Sequence, residues 1–179
     1  MAIRRKQIKH KVAQLIDSCA ISKPPVDVSK VARSLGLEIV MAPDEVGLSG
    51  FLISDSDSGR QIIGVNQSHH INRRRFTIAH EIGHHVMGHL EGKIHVDSNT
   101  TLRVAARSSV SSKGTDPHEV EANSFAAELL MPQSLVEDAM ATIEGDSNLG
   151  DDQIIAAIAK QFKVSESAMS FRLANLGLS

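Results

Sequence analysis

The sequence predicts an α+β domain in which a small twisted sheet packs against several helices. Three short runs rich in β-branched and aliphatic residues, all within residues 37–65, are typical of strands. In much of the remaining chain, apolar residues recur at helical spacing. The chain has 179 residues, 41% of them hydrophobic, and can bury a sizeable core. We expect one domain over residues 1–179, with a core over about 22–132 and a helical C-terminal part over about 133–179.

The N-terminal elements follow from periodicity and from helix-breaking residues. Apolar side chains recur at helical spacing over residues 4–19, which predicts an amphipathic helix. Asp27 or Ser29 is expected to cap a short helix that ends at Gly36. The three predicted strands are "LEIVMA", "GFLIS" and "RQIIGVN", and the polar turn "DSDSG" between the last two indicates a hairpin.

The second half of the chain is predicted to be mostly helical. Residues 97–117 are polar and are interpreted as a loop. A helix is expected from about Pro117 to Leu130, where Pro132 stops it. The other predicted helices cover residues 72–90, residues 133–143 and two segments of the tail, which separate near Val164.

Composition and charge exclude several classes of protein. A formal net charge of −2 and a pI of about 6.5 argue against a dedicated nucleic-acid binder. No apolar run approaches the roughly 18 residues of a membrane span, and the N-terminus lacks the pattern of a signal peptide. Cys19 is the only cysteine, which fits a reducing cytoplasm. The basic residues of the first helix are expected to form a solvated face: Arg4, Arg5, Lys6, Lys9 and Lys11.

The segment "HEIGH" carries the strongest chemical signal. His80 and His84 lie at i and i+4, so their side chains are about 40° apart around a helix and roughly 6 Å apart along it. Both imidazoles can therefore bind one zinc ion, although His84 could also be a core histidine. Glu81 lies about 100° aside and is placed to take a proton from water at the metal. This is the zincin motif, and it predicts a zincin-like domain with one zinc ion per chain.

A second histidine pair and an extended motif were weighed against this prediction. His85 and His89 also lie at i and i+4, but no acid follows the first of them. We expect this pair to lie at the surface or to support the ligands. The metzincin pattern requires Gly and His where this chain has Met87 and Leu90, so that interpretation fails.

The third metal ligand is expected from the helix in "HEVEANSFAAELLMP". Glu119 begins a continuous stripe that lets this helix pack closely on the histidine helix; its other members are Ala122, Asn123, Ala126 and Leu130. Asn123, one turn after Glu119, could hydrogen-bond the second ring nitrogen of a histidine ligand. Glu121 and Glu128 are expected to meet solvent. His118 remains a rival third ligand, although it lies off the stripe.

Together, "FTIAHEIGHHVMGH" and "EVEANSFAAELLMP" resemble the ImmA/IrrE family of zinc metallopeptidases, which are gluzincin-like proteins. The resemblance extends from "PPVDVSKVARSLGLEIV" to "FKVSESAMSFRLANLGL" and covers most of the chain. It implies that His80, His84 and Glu119 bind zinc and that Glu81 is catalytic. Asn123 stands where related gluzincins often have Asp.

The resemblance also implies a function. Family members cleave helix-turn-helix (Xre-type) repressors, often encoded nearby, and so relieve repression of a phage, a mobile element or a stress regulon. The alternative is a non-proteolytic anti-repressor that binds the repressor and holds a structural zinc. The presence of Glu81 argues against that alternative, because a structural site needs no general base.

Direct DNA binding through the tail is a third hypothesis. The segment "IAKQFKVSESAMSFRLANL" resembles a helix-turn-helix, but its surroundings are electrically neutral. Three basic residues only balance three acidic ones: Lys160, Lys163 and Arg172 against Asp151, Asp152 and Glu166. Phosphate contacts dominate DNA affinity, so direct DNA binding is not expected.

The residue that stabilises the substrate oxyanion must be His or Arg if a side chain supplies it, because the chain contains no Tyr. His95, in "KIHVD" after the metal helix, is the first choice as a catalytic residue, and His118 is the second. The arginines at 73–75 are expected to contact solvent or to pair with Glu.

Overall fold

A computed structural model describes residues 3–43, 49–55, 59–89, 93–96, 100–105, 116–143 and 150–178. Its described part contains helices and one sheet, which confirms the α+β class. The helices are α1 (Arg5–Ser18), α2 (Val28–Ser34), α3 (Ile71–Met87), α4 (Pro117–Leu130), α5 (Gln133–Ile143), α6 (Asp151–Phe162) and α7 (Glu166–Leu176). The strands are β1 (Leu37–Ala42), β2 (Gly50–Asp55), β3 (Gln61–Asn66), β4 (Lys93–Val96) and β5 (Thr100–Ala105).

The strands form one sheet in the order β1-β3-β2-β5-β4. β1 runs parallel to β3, and the other neighbours are antiparallel. The predicted hairpin is present, since β2 and β3 pair from Gly50 opposite Val65 to Ser54 opposite Gln61. The prediction of a loop over residues 97–117 was wrong at β5, because the run "TTLRVA" pairs with β2 and β4. Its threonines are β-branched and suit a strand, although we interpreted them only as polar.

Helix α3 packs against the sheet at β2 and β3. A Cβ atom at Gly50 would clash with the Thr77 side chain and would lie 2.9 Å from the carbonyl oxygen of Gly64, so only glycine allows this approach. The α3 segment ends at Gly88, whose φ of 76° lies in the left-handed region that glycine adopts readily. The sheet therefore holds α3 from one side.

Helix α4 packs against α3 on another side. A Cβ atom on Gly83 of α3 would lie 3.1 Å from Cβ of Phe125 and 3.2 Å from Cα of Ala122. Asp116 starts α4 by accepting a hydrogen bond from the backbone N–H of His118, and Pro117 follows at the first helical position. Small residues on both helices thus allow the first half of α4 to pack closely on the C-terminal half of α3.

The apolar core contains residues from both predicted parts of the chain. Ile8 of α1, Phe125 of α4, Phe162 of α6 and Met169 of α7 are all fully or almost fully buried in one cluster. The division into a core and a helical C-terminal part within one domain stays a prediction. Within the described residues, no helix has both the length and the apolar character that crossing a membrane requires.

Candidate metal centre

Three predicted ligands converge between α3 and α4. The Nε2 atoms of His80 and His84 lie 2.9 Å apart. One carboxylate oxygen of Glu119 lies 3.4 Å from Nε2 of His80, and the other lies 3.2 Å from Nε2 of His84. All three side chains are buried or nearly so. Two imidazoles and a carboxylate from two helices therefore face a common point.

The hydrogen bond to Asn123 fixes which nitrogen of His80 faces this point as an acceptor. Nδ1 of His80 lies 2.9 Å from Oδ1 of Asn123. An amide oxygen can only accept, so with the amide in this orientation Nδ1 donates its hydrogen. When the ring is neutral, Nε2 is then the nitrogen that carries the lone pair a metal ligand needs. The contact predicted for Asn123 is present, and it prepares His80 to bind a cation.

The electrostatics of Glu119 also favour a cation at this point. Burial alone would raise the pKa of this carboxyl group. Hydrogen bonds and charge interactions with His80 and His84 outweigh burial and hold the pKa of Glu119 well below its ordinary value. Glu119 is therefore an anion at neutral pH. Within the described chain, His80, His84 and Glu119 form the group whose donor atoms could hold one metal ion.

Glu81 is buried directly beside His80, under the sheet. A Cβ atom on Gly50 would lie 3.7 Å from Oε1 of Glu81, so the Glu81 carboxylate lies close to the start of β2. The position agrees with the predicted offset of Glu81 from the histidine pair, and its catalytic role stays a prediction.

The structure treats the two other histidine candidates differently. His95 lies on β4 and pairs with Thr101 of β5, but its side chain is outside the described residues, so its proposed contact with the oxyanion stays a prediction. His118 is half-buried and stacks on His89, with ring centroids 4.5 Å apart. In the described chain His118 is not part of the convergent group.

A second buried cluster lies one turn of α3 beyond the candidate ligands. Arg4 forms an ion pair of 2.5 Å with Glu121, and its backbone N–H donates to the same carboxylate. His89 is buried, and its Nε2 lies 2.9 Å from both Arg4 Nη2 and Glu121 Oε2. The hydrogen bond from Arg4, opposed by burial, lowers the pKa of Glu121 to about 2. We refer to Arg4, His89 and Glu121 as the arginine cluster.

Several surface predictions were therefore wrong. Glu121 and Glu128 are buried, not exposed, because each pairs with an arginine distant in sequence. Glu128 pairs with Arg172 of α7 at 2.9 Å. Arg4 was expected on a solvated helix face, but it forms the ion pair with Glu121. Arg75 is half-buried and donates to the carbonyl oxygen of Val26.

Sequence reasoning missed the arginine cluster as a unit. Arg4 and Glu121 are separated by 117 positions, and no local spacing connects them. The available signal was that two titratable residues, His89 and Glu121, lay in the histidine and glutamate segments without a role at the metal. That signal identifies candidates but not their partners.

The site has two histidines one helical turn apart, a glutamate directly after the first of them, and a carboxylate from a second helix. These features define the class of HExxH metallopeptidases. Comparison with known proteins leads to a particular family. A peptidase family described as IrrE N-terminal-like domain matches residues 32–174, and the chain belongs to this family. Membership in this family assigns the chain to the metallopeptidases.

One curated relative and one solved structure add to this result. The chain is 26% identical to Metallopeptidase ImmA of Bacillus subtilis (strain 168) over 174 residues, which are 96% of this chain and 87% of that protein. A solved structure of a Mycobacterium tuberculosis transcriptional regulator has a similar fold, with a TM-score of 0.60 and 15% identity. That match covers 94% of this chain but only 46% of the regulator. It therefore concerns the fold alone.

Proposed function

We propose that this protein is a zinc-dependent endopeptidase that cleaves a helix-turn-helix repressor and so relieves repression of a phage, a mobile element or a stress regulon. The observation that carries the proposal is the convergence of His80, His84 and Glu119 beside Glu81. Resemblance to the ImmA/IrrE family supports a repressor as the substrate. We also propose a cytoplasmic location, which the single, buried and free Cys19 supports.

In this proposal, His80, His84 and Glu119 hold one zinc ion. Bound zinc would polarise the scissile carbonyl group and lower the pKa of water. Glu81 accepts a proton from the attacking water as the new C–O bond forms, and then delivers it to the nitrogen as the C–N bond breaks. Asn123 fixes the ring of His80 through the hydrogen bond to Nδ1. His95 is the proposed donor to the oxyanion.

The decisive experiment incubates the zinc-loaded protein with the repressor encoded nearby and analyses the products by mass spectrometry. One defined internal cut supports the proposal, and an intact repressor contradicts the substrate assignment. Replacing Glu81 with Gln should keep the metal and lower the cleavage rate by about 10²–10⁴-fold, the usual contribution of a general base. Zinc content is measured on the same samples.

The alternative is a non-proteolytic anti-repressor with a structural zinc. It predicts that Glu81→Gln still relieves repression in a reporter strain, because sequestration needs no general base. Loss of derepression with zinc retained supports the endopeptidase.

A further inference from the structure

A large groove lies on the face formed by α1, α4, α7 and the first turns of α3. Its volume is about 1320 Å³, and its accessible lining is mostly apolar. Residues that define its floor and walls include Ile8, Phe76, Ala127, Met131, Phe171 and Leu176. Phe171 is 76% exposed, an unusual state for a large aromatic residue. This groove is not used by the proposed chemistry.

The groove is a neighbour of His80, although none of the three candidate ligands lines it. Asn123 lines it and also contacts Nδ1 of His80. Phe76 lines it as well, and its ring centroid lies 6.2 Å from that of His80. A polypeptide held in the groove would therefore lie one side chain away from His80.

The walls of the groove determine the conformation of its occupant. Most of the lining residues belong to helices, whose backbone groups are already hydrogen-bonded internally. The groove thus offers no strand edge to an extended peptide, and an apolar occupant must satisfy its own backbone. An amphipathic helix does so and inserts its apolar side chains. With a helix diameter of about 10 Å, the volume accommodates on the order of three turns.

The rim of the groove determines the charge of that helix. Arg5, Lys6 and Lys9 of α1 and Arg73 of α3 are exposed and line the groove. None of the four forms an ion pair with another described residue; Lys9 and Arg73 only donate to uncharged oxygens. Glu128, the one acidic residue among the described residues that line the groove, is already paired with Arg172. The rim therefore favours acidic residues.

We propose that this groove binds an amphipathic helix of the protein substrate, with an apolar face and acidic flanks, and holds it beside the metal centre. The proposal rests on the proposed peptidase function and names the substrate feature that the peptidase would recognise. Phe171 and the rim cations are binding residues that determine specificity and take no part in bond cleavage.

Binding can be measured without hydrolysis. The probe is a fluorescein-labelled synthetic peptide about three helical turns long, with leucines on one face and glutamates on both flanks. It is titrated into the full-length, zinc-loaded Glu81→Gln protein, and anisotropy is recorded. We expect binding at least about tenfold tighter than for the same peptide with lysines in place of the glutamates.

Two variants and two matched controls test the location. Phe171→Ser should weaken binding by about tenfold or more, because it removes the most exposed aromatic anchor. Lys6→Glu should weaken it severalfold and reduce the preference for acidic flanks. Val40→Ser, at an exposed apolar position of β1, and Lys30→Glu, at an exposed position of α2, lie outside the groove and should leave binding unchanged.

Each of four results with the peptide overturns the proposal: absence of binding, equal binding of both flank charges, no effect of Phe171→Ser, and competition by duplex DNA at physiological salt. Dimerisation of the protein that depends on Phe171, seen by light scattering, also overturns it, because the groove is then an interface between copies.

Repressor cleavage separates this proposal from the proposed function. If the repressor stays intact while the peptide binds specifically, only the proposed function is contradicted. If the repressor is cleaved and Phe171→Ser leaves the KM for the repressor unchanged, only the proposed role of the groove is contradicted.

Discussion

Glu119 and Glu121 of α4 are both buried and lie two positions apart, but their negative charges have different kinds of partner. Glu121 pairs with Arg4, whose guanidinium keeps its charge at any physiological pH. Glu119 faces two imidazoles, His80 and His84, which are not permanent cations. The chain thus neutralises one carboxylate with its own charge. The other carboxylate has two metal-binding side chains as its partners, the arrangement expected where a metal ion supplies the charge.

The surroundings of the two clusters match these roles. The arginine cluster connects the start of α1 to α3 and α4, because Arg4 also donates to the carbonyl oxygen of Met87. The candidate ligands instead border the groove through Asn123. We infer that the first cluster stabilises the packing of three helices and that the second binds a metal.

The largest expected effect is loss of the metal. Replacing His84 with Ala removes one of three converging donors and should reduce zinc from about one ion per chain to near zero. Elemental analysis of the purified protein measures it. His85→Ala is the matched control and should retain zinc. Stoichiometric zinc in His84→Ala would instead assign the ligand role to His85 or His118.

The next effect is on stability. Arg4→Ala leaves the buried carboxylate of Glu121 without its guanidinium, which should lower the free energy of unfolding by about 2 kcal/mol; the exposed third of the Arg4 side chain reduces the effect below that of a fully buried pair. Urea denaturation measures this change. Arg5→Ala, at the exposed neighbouring position, should change stability by less than about 0.5 kcal/mol.

Zinc content of Arg4→Ala tests whether the clusters are separate. The folded variant should keep its zinc, because Arg4 contacts Glu121 and His89 and none of the three candidate ligands. If Arg4→Ala loses both stability and zinc, then the two clusters form one unit and the comparison fails.

A smaller effect is expected at the support of His80. Asn123→Ala removes the acceptor for Nδ1 and should weaken zinc affinity by about tenfold. Competition with a chelator measures the affinity. Asn123→Asp keeps an acceptor and should preserve binding, which distinguishes the hydrogen bond from packing. Equal affinity in Asn123→Ala and the unchanged protein would remove Asn123 from the site.

The smallest effect is expected at the contact of Gly83 with α4, the helix that carries a residue of each cluster. Gly83→Ala adds a Cβ 3.2 Å from backbone atoms of Ala122 and 3.1 Å from Phe125 Cβ. Overpacking should outweigh the gain in helix propensity and destabilise the fold by about 1 kcal/mol, with slightly weaker zinc binding as α4 shifts. Thermal unfolding with and without a chelator separates the two changes. A more stable variant would show that α4 can move without cost.

Local patterns predicted most of the secondary structure because periodicity and helix breakers act over a few residues. The predicted helix from Pro117 to Leu130 has those bounds in the structure, where Asp116 and Pro117 begin it. The strands β4 and β5 were missed because they are short and polar. The pairing of β5 with β2 depends on a partner that is distant in sequence, and β4 pairs only with β5.

The sequence by itself determined the family and the identities of the three residues that converge. His80 and His84 follow from one helical turn, whose geometry any helix imposes, and Glu119 follows from a stripe on a second helix. Only the tertiary structure decided that Glu121 and Glu128 are buried. A charge on a helix face is solvated or buried according to what packs against it, and Arg4 and Arg172 arrive from the two ends of the chain. The groove likewise exists only where α1, α3, α4 and α7 meet, because a surface built by four separate helices has no signature in any one of them.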